Sequence, residues 1–298
     1  MRIPPTLNLV ALSVLSTCLL MASAAHAQNF VLYGATSGGG IYEVDPVAKT
    51  SREVANFGSN INGLAWVPDS QRLYFSQTIT QPGDGGLYYW DRATGAFSSE
   101  LLSASALQGD MDNGSYYNGA IWYVDGNGGT DSLFRLDLGT LATTTFANFD
   151  GTARTDFDFG DLVITESGQA YGYATDRLAT GSPATFFSFS VASGSPTGYT
   201  QQNVAGNYQL GINLNDTVMY GTGGVNVGTG NWFVVDPATG TGTDIANFTT
   251  PTFTDLSGRG AIPAAAVVPE ANTLMLAFPA LGMVGTIIVR RRNKKGQN

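Results

Sequence analysis

Trp232-Phe233-Val234-Val235-Asp236-Pro237-Ala238-Thr239-Gly240 reads as a short strand that stops at an aspartate and turns. Aromatic and β-branched side chains suit a pleated, half-buried surface. Asp-Pro-x-Thr-Gly is turn chemistry, with the Asp carboxylate bonding backbone amides and Gly supplying positive φ. The stretch recurs. It appears as Ile41-Tyr42-Glu43-Val44-Asp45 followed by Pro46, as Leu87-Tyr88-Tyr89-Trp90-Asp91, and as Leu133-Phe134-Arg135-Leu136-Asp137. A degenerate copy is Phe186-Phe187-Ser188-Phe189-Ser190. The anchors at 45, 91, 137, 190 and 236 are 46, 46, 53 and 46 residues apart. Self-similarity at a fixed step of this length marks a repeat architecture.

The neighbours of each anchor repeat as well. A strand follows it: Val54-Ala55-Asn56-Phe57, Phe146-Ala147-Asn148-Phe149, Ile245-Ala246-Asn247-Phe248. A strand precedes it: Leu32-Tyr33, Leu73-Tyr74-Phe75, Ile121-Trp122-Tyr123, Ala170-Tyr171-Gly172-Tyr173, Val218-Met219-Tyr220. Further upstream lies a short apolar segment: Gly63-Leu64-Ala65-Trp66, Asp161-Leu162-Val163-Ile164, Gly211-Ile212-Asn213-Leu214 and Asp255-Leu256-Ser257, with a weaker copy near Asp110. Four short strands per unit describe the blade of a β-propeller. The first copy lacks its innermost strand, and the last has only that strand, at Phe253 to Ser257. Together they complete one blade and close a ring, which leaves no open end blade. The expected fold is all-β: a propeller of five blades, each of four antiparallel strands with a period of about 46 residues, closed by pairing the N- and C-terminal strands. A six-bladed ring and an open β-solenoid are the alternatives.

Composition bounds the chemistry. The chain has 298 residues, 43% hydrophobic and only 12% charged, with 38 glycines, one cysteine and one histidine. Both Cys18 and His26 fall in the first 27 residues, which read as a secretory signal. Arg2 gives the positive start, Leu7 to Met21 is mostly apolar, and Ala25-His26-Ala27 is a small-x-small cleavage site that would leave Gln28 first. Leu15-Ser16-Thr17-Cys18 fits a lipoprotein box poorly, because Thr17 precedes the cysteine and apolar sequence continues beyond it. A mature chain without Cys or His has no disulfide framework, no Cys/His zinc site, no cysteine nucleophile and no Ser-His-Asp triad. Residues 28–268 hold 22 Asp+Glu and 8 Lys+Arg, a net charge of −14. That balance argues against nucleic acid as a partner.

The C-terminus has three parts: Val268-Pro269-Glu270, an uncharged segment 271–289, and a basic end at 290–295 that holds Arg290, Arg291, Arg292, Lys294 and Lys295. The uncharged segment is long enough for a membrane-crossing helix, with its basic flank on the cytoplasmic side. A plain tail anchor would share these features. The order of the three parts resembles the PEP-CTERM sorting signal. The resemblance implies an exosortase as processing partner, after signal peptidase has acted at the other end. It also implies export across the inner membrane of a Gram-negative bacterium, transient or permanent anchoring, and delivery to the cell surface or beyond. The family's Val-Pro-Glu-Pro stands here as Val268-Pro269-Glu270-Ala271. The resemblance covers residues 266–298 and says nothing of what residues 28–265 do.

Within the repeat, Asp110, Asp161 and Asp255 each begin an innermost segment and would face one end of a central channel. Carboxylates and carbonyls gathered there suit a hard cation such as Ca²⁺, with Asp112, Asn113 and Asp158 adding oxygens. The plainer reading is that each caps a strand end and faces water. Asp125-Gly126-Asn127-Gly128-Gly129-Thr130-Asp131 starts like a calcium loop but lacks its glycine at position six and its distal Glu, so it reads as a glycine-rich hairpin. Gly221-Thr222-Gly223-Gly224 is a turn with no helix after it, and no Gly-x-Ser-x-Gly elbow occurs. The anchor aspartates read as turn residues and the repeated aromatics as core between blades. The function expected is that of an exported, non-enzymatic propeller at the cell surface or in the extracellular matrix, binding a polysaccharide or a surface protein. The alternatives are a propeller hydrolase or lyase acting on a glycan or lactone with Ca²⁺ in its channel, and a purely structural envelope protein.

Overall fold

A computed structural model describes residues 30–80, 84–125, 132–146, 157–176, 184–192, 197–204, 209–213, 217–223 and 231–261. The signal segment, the sorting tail with its 271–289 span, and most of the 125–131 hairpin lie outside these residues. Among the described residues no helix is long and apolar enough to cross a membrane.

The described chain is built of strands in five antiparallel sheets. The first sheet contains β1 (Phe30–Ala35), β2 (Gly40–Asp45) and β3 (Thr50–Asn56). The second contains β4 (Ile61–Val67), β5 (Arg72–Gln77) and β6 (Leu87–Asp91). One short helix, α1 (Ala104–Leu107), leads into the third: β7 (Ser115–Tyr117), β8 (Ala120–Asp125), β9 (Ser132–Asp137) and β10 (Thr143–Phe146). The fourth is β11 (Phe157–Ile164), β12 (Gln169–Asp176), β13 (Ala184–Ser190) and β14 (Thr197–Val204). The fifth is β15 (Gln209–Ile212), β16 (Met219–Thr222), β17 (Asn231–Val235) and β18 (Gly242–Thr249). The last strand, β19 (Asp255–Ala261), returns to the first sheet, whose order is β19-β1-β2-β3. Phe30 stands opposite Ala261 and Ala35 opposite Asp255. The ring is therefore closed as the repeat phasing predicts, and the molecule is a five-bladed β-propeller.

The innermost strands β19, β4, β7, β11 and β15 touch their neighbours all the way round, and β11 also touches β19 across the axis. Burial falls from the axis outwards. Every residue of β4 is buried, whereas β3 is largely exposed. The core lies between blades rather than within them, because each twisted sheet covers its neighbour's face. Trp122, Ala120 and Leu133 of the third blade pack with Leu162, Phe187 and Phe189 of the fourth. Tyr173 and Phe186 of the fourth meet Leu210, Met219 and Phe233 of the fifth. Trp232 and Phe248 of the fifth meet Leu32, Phe253 and Leu256 of the first. Tyr74 and Leu87 of the second blade meet Ile121, Tyr123 and Phe134 of the third. Between the first and second blades Tyr33 stacks on Trp66 at 4.5 Å, and Arg92 reaches from the second blade to the buried Glu43 of the first, 2.8 Å away. The repeated aromatics thus fill the blade junctions.

The second blade departs from the four-strand pattern. Its outer edge is not a continuous strand: isolated bridges join Trp90 to Phe97 and Leu87 to Leu102. Ser98-Ser99-Glu100 lies between them. Polar and non-branched, it offers little to a pleated ladder, although Ser98 stays attached, its N–H bonding the Tyr89 carbonyl and its Oγ accepting the Tyr89 amide, both at 2.9 Å.

Candidate functional site

The turns that join innermost to second strands gather on one face around the axis. Three of them surround an open cleft of about 400 Å³, lined by Pro68, Asp69, Tyr116, Tyr117, Asn118 and Glu166. Pro68 and Asp69 belong to the β4–β5 turn, Tyr116 and Tyr117 to the end of β7 with Asn118 in the β7–β8 turn, and Glu166 to the β11–β12 turn. The second, third and fourth blades each supply one wall.

Each wall is held rigidly. In the first turn Gln71 donates its backbone N–H (3.3 Å) and its Nε2 (2.7 Å) to the Pro68 carbonyl, which fixes the loop carrying Asp69. The β7–β8 turn has two central residues, Asn118 at φ 48° and Gly119 at φ 77°. Positive φ at both is the pattern of a type I′ hairpin, for which Asn-Gly is the favoured pair. In the third turn Thr165 N–H bonds the Gln169 carbonyl at 2.8 Å, and Gly168 N–H bonds the Thr165 carbonyl at 3.0 Å, which presents Glu166 at the tip. Tyr116 packs on the cluster between the second and third blades, Tyr117 on that between the third and fourth. The tip of the Tyr117 ring lies over Gly168, where a Cβ would stand 2.8 Å from Oη. Both rings are half-buried, and both carboxylates are exposed.

Tyr116 also lines the axial space, together with Trp66, Val163, Ile164, Ile212 and Ser257. That space, about 10 Å³, has room for roughly one water molecule. Side chains lace the inner strands together around it. Ser115 Oγ accepts the Ile164 amide at 2.8 Å, and Ser257 Oγ accepts the Trp66 amide at 2.8 Å.

Two of the three aspartates read from the sequence as channel ligands meet inside the ring. Asp161 and Asp255 are both fully buried and hydrogen-bonded to each other. Asp161 Oδ1 accepts the Leu162 amide at 2.6 Å and its Oδ2 accepts the Leu210 amide at 2.5 Å. Asp255 Oδ1 accepts the Leu256 amide at 2.8 Å, and its Oδ2 accepts the Leu64 amide. The pair spans the axis from the fourth blade to the first, and its amide partners reach the fifth and the second. Burial drives both carboxyls well above the usual carboxylate range. The charge of Asp255 pushes Asp161 further the same way, while amide donors pull against burial at Asp255. Two carboxyls in contact cannot both ionise cheaply, so the pair holds a shared proton. Neither presents surface to solvent.

Asp110 is not part of this pair. It lies half-buried between α1 and β7, upstream of the first strand residue, Ser115. The nearby Asn113 is fully buried, and its Oδ1 accepts the Val124 amide at 3.2 Å. Among the described residues no three or more His, Cys, Asp or Glu side chains gather in a way that would hold a metal ion.

The anchor aspartates form the turns their sequence implies. Asp45 Oδ1 accepts the amides of Val47 (2.9 Å) and Ala48 (2.8 Å). Asp91 Oδ1 accepts those of Ala93 and Thr94, and Asp137 Oδ1 those of Gly139 and Thr140. Asp236 accepts from the Ala238 amide and the Thr239 hydroxyl. Hydrogen bonds from Thr140 and Gly139, aided by Arg135, hold the Asp137 carboxyl below the usual carboxylate range.

None of the cleft residues stood out in the sequence taken singly. A signal was nevertheless present. Aligning the repeats on their innermost strands puts Pro68-Asp69-Ser70, Asn118-Gly119 and Glu166-Ser167-Gly168 at one position, and so on one face of a ring.

Fold and cleft together define a propeller compatible with non-enzymatic binding. No protein-family model matches the chain, and no curated protein matches it. Solved structures similar to it include TolB from Acinetobacter baumannii, at 14% identity and TM-score 0.46 over 72% of this chain and 52% of that one. An auxiliary nutrient-binding protein from Bacteroides thetaiotaomicron is similar at 13% identity and TM-score 0.46, over 78% and 58%. A dihydro-heme d1 dehydrogenase is similar at 14% and 0.38, over 73% and 44%. The chain spans about half the length of these proteins.

Proposed function

We propose that this protein is an exported propeller of the cell surface or extracellular matrix that binds a polysaccharide or a surface protein through its cleft face and does not transform it. The observation that carries the reading is the cleft itself. It is open, walled by three rigid turns, and furnished with two half-buried tyrosines and two exposed carboxylates. Aromatic faces and hydrogen-bonding side chains on a fixed frame bind without first paying to order loops. The buried carboxyl pair, the part of the molecule most like acid–base machinery, is enclosed where no substrate reaches it.

Export and sorting follow from the two ends. Signal peptidase would cut before Gln28, and an exosortase would recognise Val268-Pro269-Glu270, the following span and Arg290-Arg291-Arg292. The test is fractionation of a Gram-negative host that makes the full chain with and without its exosortase. The expected result is loss of surface or extracellular protein, and a change in its size, in the deletion strain. Unchanged size and surface exposure would remove the sorting part of the proposal and leave a simple tail anchor.

A further inference from the structure

We infer that the ligand of the Tyr116–Tyr117 cleft is an uncharged, hydroxyl-rich glycan, stacked on the tyrosines and hydrogen-bonded by Asp69, Asn118 and Glu166. This deepens the binding proposal above and rests on it.

The lining selects the chemistry. Among the described residues no lysine or arginine borders the cleft. Two carboxylates do, and the 28–268 body carries a net charge of −14. A polyanion would have to approach like charge at close range with no cation to receive it. A cationic ligand would gain little. Asp69 and Glu166 are exposed tips, where a point charge is screened by water and salt. A sugar ring uses the same groups better. Its apolar C–H face matches a tyrosine face, and its hydroxyls donate to carboxylate oxygens in charge-assisted bonds. The Asn118 amide can donate and accept at once.

The frame fits an extended chain rather than a small enclosed molecule. The cleft is open and lies at one edge of the axial mouth, with Tyr116 lining both. The mouth narrows to the space of about one water. A ligand can therefore cross the face over three blades but cannot enter the axis. The walls come from separate blades, so a glycan lying across them would contact each turn in succession.

The test is binding of the full-length chain to an array of neutral glycans covering hexose, N-acetylhexosamine and deoxyhexose ring types. An oligogalacturonate and spermine serve as the anionic and cationic probes. The expected result is binding of at least one neutral glycan that changes little from about 0.05 M to about 0.5 M salt. Tyr117→Ala should weaken it about tenfold, the scale of one lost aromatic contact. Glu166→Gln and Asp69→Asn lie at exposed turn tips and should weaken it several-fold while the fold persists. Binding of the oligogalacturonate or spermine instead, abolished by the same substitutions, would overturn the glycan inference and leave the binding cleft standing. If none of the probes binds, the glycan inference falls. If, in addition, matrix proteins captured by the wild type are captured equally by Tyr117→Ala, the cleft is not the binding face and the proposed function falls with it.

Discussion

The fourth residue after each anchor aspartate must adopt a left-handed backbone. Gly95 and Gly240 do so at φ 71° and 70°, as glycine readily can. Lys49 and Leu141 occupy the same place at φ 56°, where an L side chain crowds its own carbonyl at a cost of about 1–2 kcal/mol. Leu141→Gly should therefore stabilise the protein, by about 0.5–1 kcal/mol once the greater freedom of glycine in the unfolded chain is subtracted. A rise in the urea midpoint with unchanged slope is the expected reading. Gly240→Ala should do the reverse, because a Cβ there would collide with the Phe186 ring and because the Gly240 carbonyl accepts the Tyr173 hydroxyl. At this scale the sequence was transparent. Asp followed by Thr-Gly is read the same way by any backbone, since all its bonds lie within five residues.

Blade junctions carry the stability at the next scale. Trp122 is 2% exposed and sits between the third and fourth blades among Leu162, Phe187 and Phe189. Trp122→Ala should cost about 3–5 kcal/mol through lost burial and a residual cavity, seen as a fall in the calorimetric midpoint. A loss below 1 kcal/mol would mean that the junction collapses onto the gap. Strand identity was legible from the recurrent aromatic and aliphatic runs and the turns between them. Strand phase was less so. The weak copy near Asp110 begins its strand only at Ser115, because Met111, Asn113 and Gly114 serve as the buried approach from α1 rather than as ladder residues. The second blade offered no copy of the strand that follows Asp45, Asp137 and Asp236, and its outer edge forms two isolated bridges in place of a continuous ladder.

At the scale of the whole ring, Asp161 and Asp255 couple stability to pH. Burial, together with the charge of its partner at Asp161, raises both carboxyls, so the native state keeps a proton that the unfolded chain releases. The stabilisation is complete below the unfolded aspartate value, about 3.9. It is lost as pH rises towards the folded value, with the unfolding constant growing about tenfold per unit for one retained proton. Urea midpoints measured from mildly acidic to alkaline pH should fall accordingly. Asp161→Asn removes one of the two titrating carboxyls and should flatten the slope, at a cost in stability at acid pH, because its NH2 must face an amide N–H, of Leu162 or Leu210, that a carboxylate oxygen now accepts. Midpoints that rise on alkalinisation would overturn the shared proton, and a rise on addition of Ca²⁺ at neutral pH that Asp161→Asn abolishes would show a cation joining the pair.

Sequence alone determined the all-β class, the repeat, its five copies and the shared first blade. Each of these rests on turn chemistry and aromatic or aliphatic runs repeated at a fixed step. It also marked Asp161 and Asp255 as innermost residues. Only the tertiary structure decided that these two meet across the axis while Asp110 stays apart, and that Asp69, Tyr116, Tyr117, Asn118 and Glu166 share one cleft. Residues nearly a hundred positions apart become neighbours only when the ring closes. Closure is set by how the blades pack on one another, a relation that no single repeat contains.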